Sequence, residues 1–348
     1  MTRLWISAVA VALLSGVGAT AAQRPTAAAV APGAQEVRPQ FFKLPNWLEP
    51  RESMISGLAW YSDDLILLPQ QRPIGGQRSL HRGKLYSIPR SALEREIDAP
   101  TGAPLPIDVW TLESPGIDTL KGFEGLEAIA FAGDTVFMTV ESGAPPTPHA
   151  WLLRGRMDAL HRIVRMDPPD VRIVGQSAIG NLTEEALVVY SGEVISIHEA
   201  NGSVVNPNAV AHAFPIVRPP GTPWKGRELP MAAIEYRVTD ATAADDMGRF
   251  WVSNRLFEGD RGLQATDRVF GGPPNRNRAA SATWIERVVE LRVTRDGIVP
   301  SGRPPIYLKL GEESRNWEGI ARLGTRGLVL VVDKYPSTRL AFIPFPSP

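Results

Sequence analysis

Short apolar runs alternate with clusters of glycine, proline, aspartate and asparagine along most of this chain, and hardly any stretch holds a helical period. Runs of this kind predict short β-strands joined by tight turns, with one helical turn expected over residues 91–96. Five times a strand opens on a small polar-headed motif: Ser56-Gly57-Leu58, Glu127-Ala128-Ile129, Glu185-Ala186-Leu187, Asp240-Ala241-Thr242 and Glu318-Gly319-Ile320. A second polar residue closes the next strand at a nearly constant distance, giving Gln70, Glu141, Glu199, Asn254 and Asp333. Successive motifs lie 55 to 78 residues apart. Constant spacing inside a unit and variable spacing between units is the mark of a radial repeat, and periods of this size suit propeller blades.

Each interval divides into four strand candidates. They fall at residues 57–61, 65–70, 84–88 and 108–112, then at 126–131, 136–141, 163–166 and 171–174. The third blade would use 186–190, 194–198, 210–214 and 232–238, and the fourth 240–244, 250–254, 287–293 and 306–310. The fifth offers only 319–323, 328–333 and 339–344, so its outer strand would come from residues 40–44, closing the ring and covering a sheet edge. The expected fold is all-β, a five-bladed propeller filling residues 38–348 as one domain. A six-bladed ring is the alternative.

Composition narrows the class of partner. The 37 basic and 37 acidic residues cancel, which gives non-specific nucleic-acid binding no support. Arg3, the apolar run at residues 4–14 and the small residues ending at Ala22 have the layout of a secretory signal peptide, so residues 1–22 would be removed and 23–37 would form a disordered lead-in. The chain has no cysteine, hence no disulfide or lipid-anchoring thiol. Together these suggest a periplasmic or secreted monomer that is free of the membrane once the signal is cleaved.

The chemistry follows from where the repeated polar residues must point. First strands of blades line a propeller's channel, so Ser56, Glu127, Glu185, Asp240 and Glu318 should ring the axis. Clustered carboxylates repel one another or take a cation, and an all-oxygen ring suits a hard one, Ca2+ before Mg2+. The other reading of these carboxylates is that they cap turns or pair with arginines. The second set should end near the same mouth, with Glu141 or Glu199 as a general base and Arg72, Arg255 and Lys334 beside it to hold an anionic, phosphorylated small molecule. No Gly-x-Ser-x-Gly elbow, P-loop or dinucleotide fingerprint is present, and the histidines show no metal-ligand spacing. A serine hydrolase would need scattered residues such as Ser56 or Ser142. The long segment 256–282 interrupts the fourth blade and, with Arg261, Arg268, Arg276 and Arg278, could serve as a lid or be solvated chain.

These segments, among them Phe123-Glu124-Gly125-Leu126-Glu127, Gly248-Arg249-Phe250-Trp251-Val252 and Asn316-Trp317-Glu318-Gly319-Ile320, resemble the phytase-like, "esterase-like activity of phytase" family of secreted bacterial proteins. The resemblance covers nearly the whole mature chain and implies phosphoester hydrolysis. The blade heads are also similar to those of secreted calcium-dependent apyrases, which implies Ser56, Glu127, Glu185 and Glu318 as calcium ligands, the fourth blade departing with Asp240 or Thr242. A calcium-dependent phosphoester or phosphoanhydride hydrolase is thus the leading expectation. The alternatives are a calcium-stabilised binding scaffold without catalysis, and a carboxylesterase.

Overall fold

The computed structural model describes residues 34–72, 79–143, 148–177, 179, 182–219, 221–257, 259–263, 265–270, 284–333 and 335–346. The expected signal peptide and nearly all of the expected lead-in lie outside these residues. Within them the chain is an all-β propeller. Its inner strands are Ile55–Tyr61, Phe123–Ala132, Glu184–Tyr190, Arg237–Ala241 and Trp317–Leu323, and each packs against the next until the last meets the first. Every inner strand begins an antiparallel meander that runs outward from the axis. The only α-helix among the described residues is Arg90–Asp98, one turn longer than the expected helical turn. No helix of the described residues is long and apolar enough to cross a membrane.

Each inner strand is buried on both sides, which is why these segments read as near-continuous apolar runs. In the third blade Ala186 and Val188 pack toward Val238 and Val252 of the fourth, while Leu187 packs toward Ala128 and Phe137 of the second. Gly319 lets two blades approach: a Cβ there would stand 2.6 Å from Val331 Cγ1 and 2.9 Å from Leu58 Cγ. The ring is closed at the fifth blade by the strand Gln40–Phe41, which pairs antiparallel with Arg339–Pro344.

Several features differ from the sequence expectation. The strand His149–Asp158 was not foreseen, and it carries both Ile163–Met166 and Val171–Val174. Ile163–Met166 also pairs parallel with Asp108–Glu113, so the first two blades share one nine-stranded sheet. The outer strand of the third blade is Arg227–Pro230; residues 232–236 lead into the fourth blade instead. Gln35–Val37, expected within the disordered lead-in, forms a parallel strand against Ile306–Leu308.

Candidate functional site at the mouth of the propeller

At the head of each inner strand the pairing slips by one residue. Ile55 faces Pro69 and Gly57 faces Leu68, which leaves Ser56 as the extra residue of a bulge. The same slip isolates Glu185 between Glu184 and Ala186, and Glu318 between Trp317 and Gly319. In the second blade it falls between Leu126 and Ile129 and takes in Glu127. A bulged residue escapes strict alternation, so its side chain can be aimed along the channel.

The fourth blade is out of step with the sequence reading by one residue. Its slip lies between Val238 and Asp240, so the residue in register is Thr239, whose Oγ1 donates to the Trp317 carbonyl at 2.7 Å. Asp240 is fully buried beyond it. Its carboxylate accepts the backbone N–H of Leu58 at 3.1 Å, of Ile320 at 2.8 Å and of Ala241 at 2.8 Å. The expectation that Asp240 is a metal ligand is therefore corrected: it ties the fourth blade to the first and fifth. Asn254 is corrected likewise. It accepts from Arg287 at 2.6 Å and donates to the carbonyls of Glu235 and Arg237, inside the blade. The neighbouring Arg255 holds the position that Gln70, Glu141, Glu199 and Asp333 hold in the other blades.

Most of the remaining predicted residues meet. Ser56, Glu127, Glu185 and Glu318 line one cavity of about 190 Å³, together with Gln70, Glu141 and Asp333 from the second set. Ser56 donates its hydroxyl to the Leu126 carbonyl at 2.7 Å, joining the first two blades. Glu127 accepts both bonds of the Gln70 amide, at 2.9 and 3.1 Å. Gly125 makes room for that contact, since a Cβ there would lie 2.3 Å from Gln70 Cγ. Glu199 is fully buried outside the lining; one oxygen accepts from Arg237 at 2.5 Å and the other, Oε2, has no partner among the described residues.

Six carboxylates and three guanidiniums line the cavity, and the pairing is uneven. Arg237 bridges Glu199 and Asp260, Arg255 contacts Glu318 at 2.8 Å, and Arg72 reaches Glu124 at 2.6 Å. Glu127, Glu141 and Glu185 have no ion pair among the described residues. Burial first, and then the neighbouring glutamates, hold Glu127 and Glu185 well above the ordinary carboxylate range. Glu141 is pushed up to about 7 by burial and by Glu199 and Glu124, against the opposing pull of Arg72 and Arg237. Such a group can exchange a proton near neutral pH.

The cations expected to grip an anionic substrate are otherwise engaged. Arg255 is 5% exposed and turned onto Glu318. Arg72 lines the cavity but is held by Glu124. Lys334 lies outside the described residues, as do Arg276 and Arg278. The described part of segment 256–282 contributes an acid rather than a cationic lid: Asp260 and Phe257 line the cavity, and Asp267 is pinned by the buried Arg287 at 2.5 Å. Arg237, Asp260 and Asn316, which donates to Glu318 at 2.5 Å and Asp333 at 2.6 Å, were not foreseen. Arg237 and Asn316 each lie two residues ahead of a motif residue, Thr239 and Glu318, which is the one sequence signal that could have marked them.

A serine nucleophile fits poorly. Ser142 Oγ lies 3.0 Å from His149 Nε2, but Arg172, which can only donate, approaches His149 Nδ1 at 3.2 Å. Neutral His149 must then carry its proton on Nε2 and donate to Ser142, which also accepts from Trp151 at 3.1 Å. That is the wrong tautomer for a general base. For a metal, the donors are the right kind, carboxylate and hydroxyl oxygens, with the Gln70 Oε1 and Glu199 Oε2 atoms buried and unpartnered nearby. As the side chains stand, no three His, Asp or Glu residues among the described ones converge at ligating distance.

No family model matches the chain, and no curated protein matches it. The resemblance to phytase-like proteins thus gains no support there. Among solved structures it is similar to the soluble aldose sugar dehydrogenase of Escherichia coli, with 12% identity, TM-score 0.42, and 89% of this chain against 100% of that one. The α-L-arabinofuranosidase catalytic domain of Coprinopsis cinerea gives 8% identity, TM-score 0.45, and coverage of 89% and 98%. An exo-1,5-α-L-arabinanase from a bovine ruminal metagenomic library gives 9%, 0.44, and coverage of 86% and 95%. Likenesses this distant carry no argument about activity.

Proposed function

We propose that the mouth binds a divalent cation, calcium, and that the chain is a secreted or periplasmic hydrolase of phosphoester or phosphoanhydride bonds. One observation carries this reading: Glu127, Glu141 and Glu185 meet around one small cavity with no ion pair among them. Three buried carboxylates left bare call for a cation, and oxygen donors select a hard one. Glu127, Glu185 and Glu318 would hold it, with Ser56 at the rim. Bound there, it would supply charge to draw a phosphoryl oxygen and acidify water.

The chain's own groups have separable tasks on this account. Glu141 accepts a proton from the attacking water, its pKa near 7 suiting it to the exchange. Glu127 is oriented by Gln70, and Phe257 and Tyr335 supply the apolar part of the lining. Because the mouth's arginines are already paired, an anion would be drawn chiefly by the cation. The phosphoester class itself rests on the family resemblance. The test is a turnover screen of the mature protein on nucleotides, inositol phosphates and model esters, with calcium and with chelator. Calcium-dependent turnover that falls about 10²- to 10⁴-fold in Glu141→Gln supports the reading. Turnover unaffected by chelator refutes it.

A second reading is a binding scaffold whose cation only ties the blades together. The small cavity and the paired arginines favour it. Calcium binding with no turnover on any phosphorylated substrate would decide for it.

A further inference from the structure

Four blades place an acid or amide at the end of the second strand, Gln70, Glu141, Glu199 and Asp333, whereas the fourth places Arg255 there. A cation thus stands, by position in the repeat, among groups that would otherwise all favour a metal. Its guanidinium lies 2.8 Å from Glu318 and 4.0 Å from Asp260, it is 5% exposed, and its Nε has no hydrogen-bond partner among the described residues. An arginine whose planar fork is matched on only one side is held by charge more than by fit. Asn316 also donates to Glu318, so that carboxylate would keep a partner if Arg255 left.

We propose that Arg255 is a built-in counter-cation of the mouth, competing with an incoming divalent cation for Glu318. With Arg255 on Glu318 the carboxylates cannot all converge, which agrees with the lack, among the described residues, of three such side chains at ligating distance. When a cation takes Glu318, the guanidinium is released, and the tethered Asp260 keeps it beside the cavity. It can then hold an anionic group, so that anion binding follows cation binding. The inference rests on the reading of the mouth as a calcium site.

The experiment is calcium titration calorimetry on the full chain, comparing wild type with Arg255→Gln and Arg255→Lys. Competition predicts that Arg255→Gln binds calcium about tenfold more tightly, while Arg255→Lys, which keeps the charge, stays near wild type. In the calcium-loaded proteins, inorganic phosphate should bind wild type more tightly than Arg255→Gln. If Arg255→Gln does not fold, the side-chain Nε–H resonance of Arg255 in wild type, assigned by its loss in Arg255→Lys, should shift on adding calcium. Equal or weaker calcium affinity in Arg255→Gln, or an unmoved resonance on calcium uptake, overturns the competition and leaves the calcium site standing. No calcium uptake by any of these proteins overturns both.

Discussion

The two sides of the mouth solve the same problem in opposite ways. Around the fourth and fifth blades the buried acids among the described residues have partners: Asp260 shares Arg237 with Glu199, which reaches across from the third blade, Glu318 has Arg255, and Asp333 has Asn316. Glu127 and Glu141 of the second blade and Glu185 of the third lie near one another, and among the described residues the Gln70 amide is their one side-chain hydrogen-bond partner, on Glu127. The paired side needs nothing further to fold. The bare side carries a repulsion that the rest of the fold must offset and that a cation would relieve, which is the arrangement expected of a site rather than of a strut.

Mutations should therefore have opposite signs on the two sides. The largest effect is expected for Arg237→Ala, which strands Glu199 and Asp260 in the interior and should lower stability by about 3–5 kcal/mol in urea unfolding. Asp240→Ala removes the acceptor of three backbone N–H groups and should cost about 2–4 kcal/mol, with calcium affinity unchanged. A retained affinity would separate this carboxylate from the site its sequence position suggested. On the bare side the sign reverses: Glu185→Gln should stabilise the cation-free protein, seen as a higher urea midpoint. A destabilised Glu185→Gln would place that residue on the paired side of the comparison.

The pH dependence sharpens the same contrast. Glu141 titrates at about 7 in the folded protein, against 4.5 ordinarily, so between those values the folded state keeps a proton that the unfolded chain has released. Stability from this group is full below about 4.5 and is lost as the pH rises toward 7, by about 1–3 kcal/mol. Buried His198, lowered to about 4, works against this by losing stability as the pH falls below 6.5. The difference between wild type and Glu141→Gln isolates the glutamate, and a flat difference across this window would contradict the raised pKa. The smallest effect is expected for Ser142→Ala, which should leave any turnover within about twofold, because its hydroxyl is buried between two donors.

Much of this was legible in the sequence because a radial repeat writes its period in the positions of its inner strands. The inner-strand residues at the mouth, Ser56, Glu127, Glu185 and Glu318, share one structural cause, a bulge at the head of each strand, and that cause left a polar residue where alternation calls for an apolar one. The fourth blade was misread because Asp240 looks like the acidic head of the repeat. Its hairpin turn is wider than the others, running from Thr242 to Arg249 and closed by Asp245, so a count at constant spacing slid from Arg255 to Asn254. The strand His149–Asp158 was hidden by Arg154, Gly155 and Arg156, which break its apolar run. Gly155 is required there, since a Cβ would stand 2.4 Å from the Arg165 carbonyl. The pairing of Arg237 and Asp260 joins a blade to an insertion, and no local pattern records such a contact.

The central claim, that the bare carboxylates form a cation site, is tested most directly by thermal unfolding with and without calcium in wild type and Glu185→Gln. Ligand binding to the folded state alone raises the midpoint, so millimolar calcium should raise that of wild type by several degrees and leave Glu185→Gln nearly unmoved. A wild-type midpoint that ignores calcium, or one that rises equally in both proteins, would contradict the account.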